Sequence, residues 1–192
     1  MKKKEDLRIL KTKASLYRAL MSLMKKKTFE DIKISEICST SLINRSTFYD
    51  HFSDKYELIQ SLMEDMREEL IESLDINIKT DNIKEYYMEL IKVLLDHIED
   101  NKDIYSAMIK INSNSIARDM MTDAIISSAT KEIDNKFINQ TDIPTKTIVL
   151  FYANGIINVI IEELNNSKNF DKNKLLFVIN ELIPNIDHFT KK

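Results

Sequence analysis

The chain has 192 residues, 43% hydrophobic and 31% charged, which suits a soluble globular protein with a sizeable core and excludes fibrous and membrane-embedded classes. One glycine and two prolines leave almost none of the turn residues that sheets and long loops require, so the expected fold is all-helical. The net charge of −3 divides unevenly: residues 1–55 carry 13 basic against 7 acidic side chains and the remainder 15 against 24, so only the basic head is suited to meet a polyanion.

The N-terminus, Met1-Lys2-Lys3-Lys4-Glu5-Asp6, runs on into further charge instead of the apolar stretch of a signal peptide. The lone Cys38 has no intrachain disulfide partner, and a cytoplasmic location is expected. Lys2, Lys3 and Lys4 read as a solvated end adding nonspecific affinity only. Leu16, Leu20, Leu23 and Met24 recur on one face of a helix from Leu7 to Met24, which Lys25-Lys26-Lys27 ends. The stretch from Ile34 to Tyr56 breaks into short pieces. Ser35 is expected to cap a helix over 36–40, Ser41-Leu42-Ile43 to connect, and Asn44 to cap a second helix from Arg45 to Phe52.

Ser53-Asp54 supplies another cap for a long helix from Lys55 past Leu70, with Leu58, Leu62, Met66, Leu70 and Leu74 repeating every fourth residue. Downstream, Asp81-Asn82 caps a helix to about Asp100, followed by helices over 102–110 and 115–137. Pro144 opens a helix to about Leu164. Within it, the run from Ile148 to Ile161 is interrupted by Asn154, Gly155 and Asn158, and it is shorter than the about 20 apolar residues a bilayer needs. It reads as a buried helix. A last helix, 172–183, stops before Pro184. Nine helices are expected in all.

Two short helices joined by a three-to-four-residue turn, with one helix before and a longer one after, form a helix-turn-helix module. Positions 34, 37, 43, 48 and 52 are apolar and can face one small core, whereas positions 45, 46, 47, 49 and 51 are all hydrogen-bonding types. Such side chains on a helix in the major groove bind base edges and phosphates. Arg45 is one of only 5 arginines among 28 basic residues, and bidentate arginine to guanine is the commonest specific contact.

The run Asn44-Arg45-Ser46-Thr47-Phe48-Tyr49-Asp50-His51-Phe52, continued through Ser53-Asp54-Lys55, resembles the DNA-binding domain of TetR-family bacterial regulators in motif detail over about residues 16–62. The resemblance implies an N-terminal helix-turn-helix domain, 1–54, and a C-terminal helical effector-binding and dimerisation domain, 55–192. It places Asn44 to His51 on the recognition helix, with Arg45, Ser46 and Thr47 near bases and Tyr49, His51 and Lys55 against phosphate. Ser35, on the helix before, joins the DNA-contacting set. One position departs from the family: Leu42 stands where glycine is usual, and a branched residue tolerates positive φ poorly, so a tighter or differently angled turn is expected. The segment from Phe151 to Leu164 resembles a late helix in one branch of these regulators.

The implied function is a sequence-specific DNA-binding transcriptional regulator, a repressor released from a palindromic operator by a small-molecule effector. Its partners would be double-stranded operator DNA, a second copy of itself and that effector, with no membrane partner, cofactor or metal. Candidate effector contacts are Tyr86, Tyr87, Tyr105, Met108, Met120, Met121, Tyr152 and Asn158. Asn154 and Asn158 are expected to be buried in an apolar helix and to need partners. The last two long helices are expected to pair with their mates through Ile156, Ile157, Ile160, Ile161, Leu175, Ile179 and Leu182. Cys38 reads as a small core residue, and His97, within Asp96-His97-Ile98-Glu99-Asp100, as part of a polar helix end.

Two other function classes compete with this reading. A di-iron bundle enzyme needs Glu-x-x-His pairs, but Phe48, Leu94 and Asn185 stand three residues before the three histidines. A protein-binding adaptor would use the acidic body and would have no need of the basic head.

Overall fold

Nine α-helices and no strand are present among the residues that this computed structural model describes, 7–75, 78–80, 82–111, 115–136, 144–166 and 170–183. They are α1 (Leu7–Met24), α2 (Ile34–Ser41), α3 (Arg45–His51), α4 (Lys55–Leu74), α5 (Ile83–Asp100), α6 (Lys102–Lys110), α7 (Ser115–Lys136), α8 (Thr145–Asn166) and α9 (Lys172–Leu182). The expectations resting on Lys2, Lys3, Lys4, Asp81, Phe137, Pro184 and His188 lie outside the described residues.

The chain divides into two compact units, Met1–Met66 and Arg67–Lys192. The expected division at 54/55 therefore falls too early, because the first turns of α4 pack with the head. Tyr17 on α1 donates to Asp65 on α4 at 2.8 Å and shares a 2.8 Å hydrogen bond with Ser61. Leu16, Leu20, Phe29, Ile32, Ile37, Phe48, Phe52, Leu58 and Leu62 form the core of this unit. Burying each stabilises the head by about 1.5–3 kcal/mol before the entropy of ordering is counted.

The start of α2 corrects the expected Ser35 cap. The cap position is Lys33, whose amide donates to the Glu36 carboxylate at 2.9 Å, so the helix begins at Ile34 and Ser35 lies inside its first turn. Glu36 is held in turn by Lys27 Nζ at 2.6 Å, which also donates to the Asp31 carbonyl at 3.0 Å. The Lys27 hydrogen bond and the Lys33 amide keep the Glu36 carboxyl below the usual carboxylate range. At α4, Asp54 accepts from the Tyr56 and Glu57 amides, both at 2.8 Å, and Glu57 accepts from Ser53, a reciprocal capping arrangement.

In the second unit α7 runs along α8, α6 packs against both, and α9 lies on α5. Asn82 caps α5 through the Glu85 amide at 3.0 Å, and Asp171 caps α9 through the Lys174 amide at 3.0 Å. Two lysines tie α9 to α5: Lys84 Nζ donates to the Asn180 carbonyl at 2.9 Å, and Lys172 Nζ bridges Asp96 and Glu99 at 2.7 Å each. By length and composition α8 could cross a membrane. Within this unit, however, it is a packed helix, with Val149, Ala153, Ile157, Ile160, Ile161 and Leu164 buried.

Candidate nucleic-acid interface

The link between α2 and α3 is Leu42, Ile43 and Asn44. Leu42 adopts φ 59° and ψ 28°, the left-handed conformation, and the amides of Leu42 and Ile43 both donate to the Cys38 carbonyl. The chain thus forces leucine into the geometry a glycine would take, and this corrects the expectation of a tighter or re-angled turn. Its side chain is 91% exposed, so no burial offsets the strain.

From this turn α3 emerges with Phe48 and Phe52 buried and Asn44, Arg45, Ser46 and Tyr49 exposed, while Thr47 and His51 are half-buried. The Phe48 ring meets Tyr49 edge-on at 5.5 Å, which braces the exposed tyrosine. Asn44 occupies the N-cap position through its carbonyl, which accepts from the Phe48 amide at 2.9 Å, but its side chain makes no capping bond. The expected side-chain cap is therefore not formed, and the amide group stays available to a ligand. Ser35 is half-buried on α2. Cys38 is buried behind this face; burial pushes its thiol up against the opposing pull of Arg45, so it is a neutral core group.

Lys55 is the main correction. Instead of standing free for phosphate, its ammonium donates to the carbonyls of Phe29, Glu30 and Ile32 at 2.9, 2.6 and 3.0 Å. It also lies 4.9 Å from the centre of the Phe29 ring and 5.5 Å from that of Tyr56. An ammonium has three protons, so a phosphate contact would cost one of these bonds. Lys55 fastens the segment after α1 to the start of α4.

The remaining candidates separate more than they assemble. Tyr86, Tyr105, Met108 and Met120 are core residues, and Met121 is likewise buried. Tyr87 and Tyr152 share a cavity, of about 10 Å³, with Leu90, Ile91, Ile125, Ala153 and Ile156, room for about one water. Asn154 and Asn158 are not buried: Asn154 donates to the Leu150 carbonyl and Asn158 to the Asn154 carbonyl, each at 2.8 Å, so both are satisfied within their own helix. Asn158 is exposed on the surface.

The interface candidates are corrected similarly. Ile156, Ile157, Ile160, Ile161, Leu175 and Ile179 are buried within the protomer, and of the seven only Leu182 is exposed, at 66%. The apolar side chains left outward on these helices are instead Phe151 at 74%, Phe177 at 67%, Leu150 and Val159. Gly155 is exposed on α8, and a Cβ added there would meet nothing within 4 Å.

His97 is buried, not part of a polar helix end. Its spacing from Leu90 and Leu94, seven and three residues earlier, puts it on the apolar face of α5, a signal that the acidic neighbours obscured.

A family model described as the C-terminal region of transcriptional regulators, TetR_C_8, matches residues 85–185. The chain is 24% identical over 167 residues, 84% of its length and 83% of the relative's, to the HTH-type dhaKLM operon transcriptional activator DhaS of Lactococcus lactis. It is 36% identical over 75 residues to the uncharacterised HTH-type regulator YxbF of Bacillus subtilis, a match that takes in 38% of this chain and 20% of the relative. A TetR-family regulator from Syntrophomonas wolfei has a similar fold, with a TM-score of 0.70 at 17% identity over 89% of this chain and 92% of that one.

Proposed function

Because this chain belongs to the TetR family of transcriptional regulators, we propose that it is a homodimeric cytoplasmic repressor that reads a palindromic operator with α3 and releases it on binding a small effector. DNA-binding regulation of transcription is the family's activity, and the relatives are regulators, not enzymes. The observation that carries the operator reading is the exposed face of α3, where Asn44, Arg45, Ser46 and Tyr49 present donors and acceptors above a core closed by Phe48 and Phe52. Arg45 is assigned to a base edge, Tyr49 and His51 to phosphate, and Ser46, Thr47 and Ser35 to supporting contacts.

Two heads on a two-fold axis double the contacts of one small module, which alone buries too little surface for tight specific binding. The outward residues Phe151, Gly155, Val159, Phe177 and Leu182 are the proposed dimer surface, since apolar side chains of this size left in water favour a partner. An activator is the second reading. It is favoured by the similarity to DhaS over most of both chains.

Selection of bound duplexes from a random pool tests the proposal. Enrichment of a palindrome is expected, and Arg45→Ala should relax preference at one position in each half-site at a cost of about 1–3 kcal/mol. No enrichment would overturn the operator reading. A reporter carrying the selected site upstream of a promoter then separates repression from activation.

A further inference from the structure

Within the second unit, a cleft of about 300 Å³ lies between the C-terminal parts of α4 and α5, and none of the assignments above uses it. Its polar lining is Glu69 and Ser73 from α4, Asp96, His97 and Asp100 from α5, and Asn101. Val93 is the one apolar residue of the lining, so the cleft is poorly suited to a hydrocarbon ligand.

Of the three carboxylates, Asp96 is engaged by Lys172 at 2.7 Å. Glu69 and Asp100 carry no ion-pair partner among the described residues. A separate observation comes from His97, which is 6% exposed, meets the Tyr105 ring edge-on at 5.9 Å and leaves Nε2 without a hydrogen-bond partner. Burial holds this imidazole below the usual histidine range, against the pull of Glu69 and Asp100, so it is neutral near pH 7. With its proton on Nδ1, Nε2 is an open acceptor. A buried polar atom left in that state costs free energy that a donor brought into the cleft would recover.

We propose that this cleft binds a small organic ammonium ion, whose N–H groups are received by Glu69, Asp100 and the His97 imidazole. An anion would be repelled by the carboxylates. A metal ion fits less well, because no group of three or more His, Cys, Asp or Glu side chains among the described residues is arranged to hold one. The volume is at the small end of ligand sites, which suits a short amine or diamine. The inference rests on reading residues 67–192 as an effector-sensing body. Glu69 and Ser73 sit on the helix whose first residue, Lys55, fastens the head, so an occupied cleft holds that helix against α5.

The test is calorimetric titration of the full-length protein, without DNA, with 1,4-diaminobutane at about physiological salt. A saturable isotherm is expected. Glu69→Gln and Asp100→Asn should each weaken it about tenfold or more, as expected for lost charge-assisted hydrogen bonds. Both side chains belong to exposed residues, so these amides leave the fold intact. Glu89→Gln, an exposed carboxylate elsewhere on α5, should leave binding unchanged. Absence of saturation, equal loss in Glu89→Gln, or equal competition by magnesium chloride would each overturn the proposal and reduce the cleft to a diffuse attractor of counterions. Because no DNA is present, this outcome is read independently of whether an operator is bound.

Discussion

At the scale of single residues, strain and saturation correct the reading of the interface. Leu42 holds a left-handed conformation with its side chain in water, so Leu42→Gly should raise stability by about 1 kcal/mol, seen as a higher denaturant midpoint at unchanged slope. A lower midpoint would show that the leucine contributes packing. Lys55→Ala removes three hydrogen bonds from an ammonium and should destabilise the head by about 1–3 kcal/mol after allowance for its partial exposure. Weaker DNA binding with unchanged stability would return Lys55 to the phosphate. This role was not legible in the sequence, because the carbonyls that Lys55 binds belong to residues 29, 30 and 32, far upstream in the chain. His97 adds a pH dependence: its folded pKa lies below the ordinary value, so the unfolded chain takes up the proton first. Stability should be complete above the ordinary histidine range and fall as pH drops below it, despite the pull of Glu69 and Asp100 facing the ring. Glu36 and Glu57, also shifted down, lose their contributions only in the more acidic carboxylate range. A midpoint that stays flat between about pH 7 and 5 would contradict this.

At the scale of elements, the helices were legible and some of their faces were not. Periodic leucines, Asn82 and Pro144 mark boundaries because caps and apolar stripes are local. Helix α8 is apolar nearly all round, so its sequence does not fix which side turns inward, and its densest isoleucines are buried within the protomer. The outward face carries Phe151, Gly155 and Val159 instead. Gly155 gives this face a signature. A mid-helix glycine costs about 1 kcal/mol relative to alanine, and open space surrounds it in the protomer. Gly155→Ala should therefore raise the stability of the folded protomer and, on the proposed dimer surface, weaken self-association, because the methyl group would occupy the space left to a partner helix. Denaturation and analytical ultracentrifugation would then move in opposite directions. Unchanged association would remove Gly155 from the interface.

At the scale of the whole molecule, charge separates the tasks: the basic excess lies in residues 1–55 and the acidic excess in the remainder. Operator binding should therefore depend steeply on salt, falling on the order of a thousandfold between about 50 and 200 mM if a dimer neutralises 6–10 phosphates. Anisotropy titrations across that range would measure it, and a slope near zero would exclude phosphate contacts. The open space around Gly155 has a further consequence once the protein is placed in a cell that holds several related regulators. Cross-pairing between duplicated regulators would create hybrids that read mixed half-sites and confuse two circuits. A helix face with a notch admits a partner whose own face is shaped to enter it, and a paralogue with a bulky side chain there is turned away by shape, without any charge being involved. The single glycine of the chain would then act as insulation, keeping one regulatory circuit from leaking into another after gene duplication.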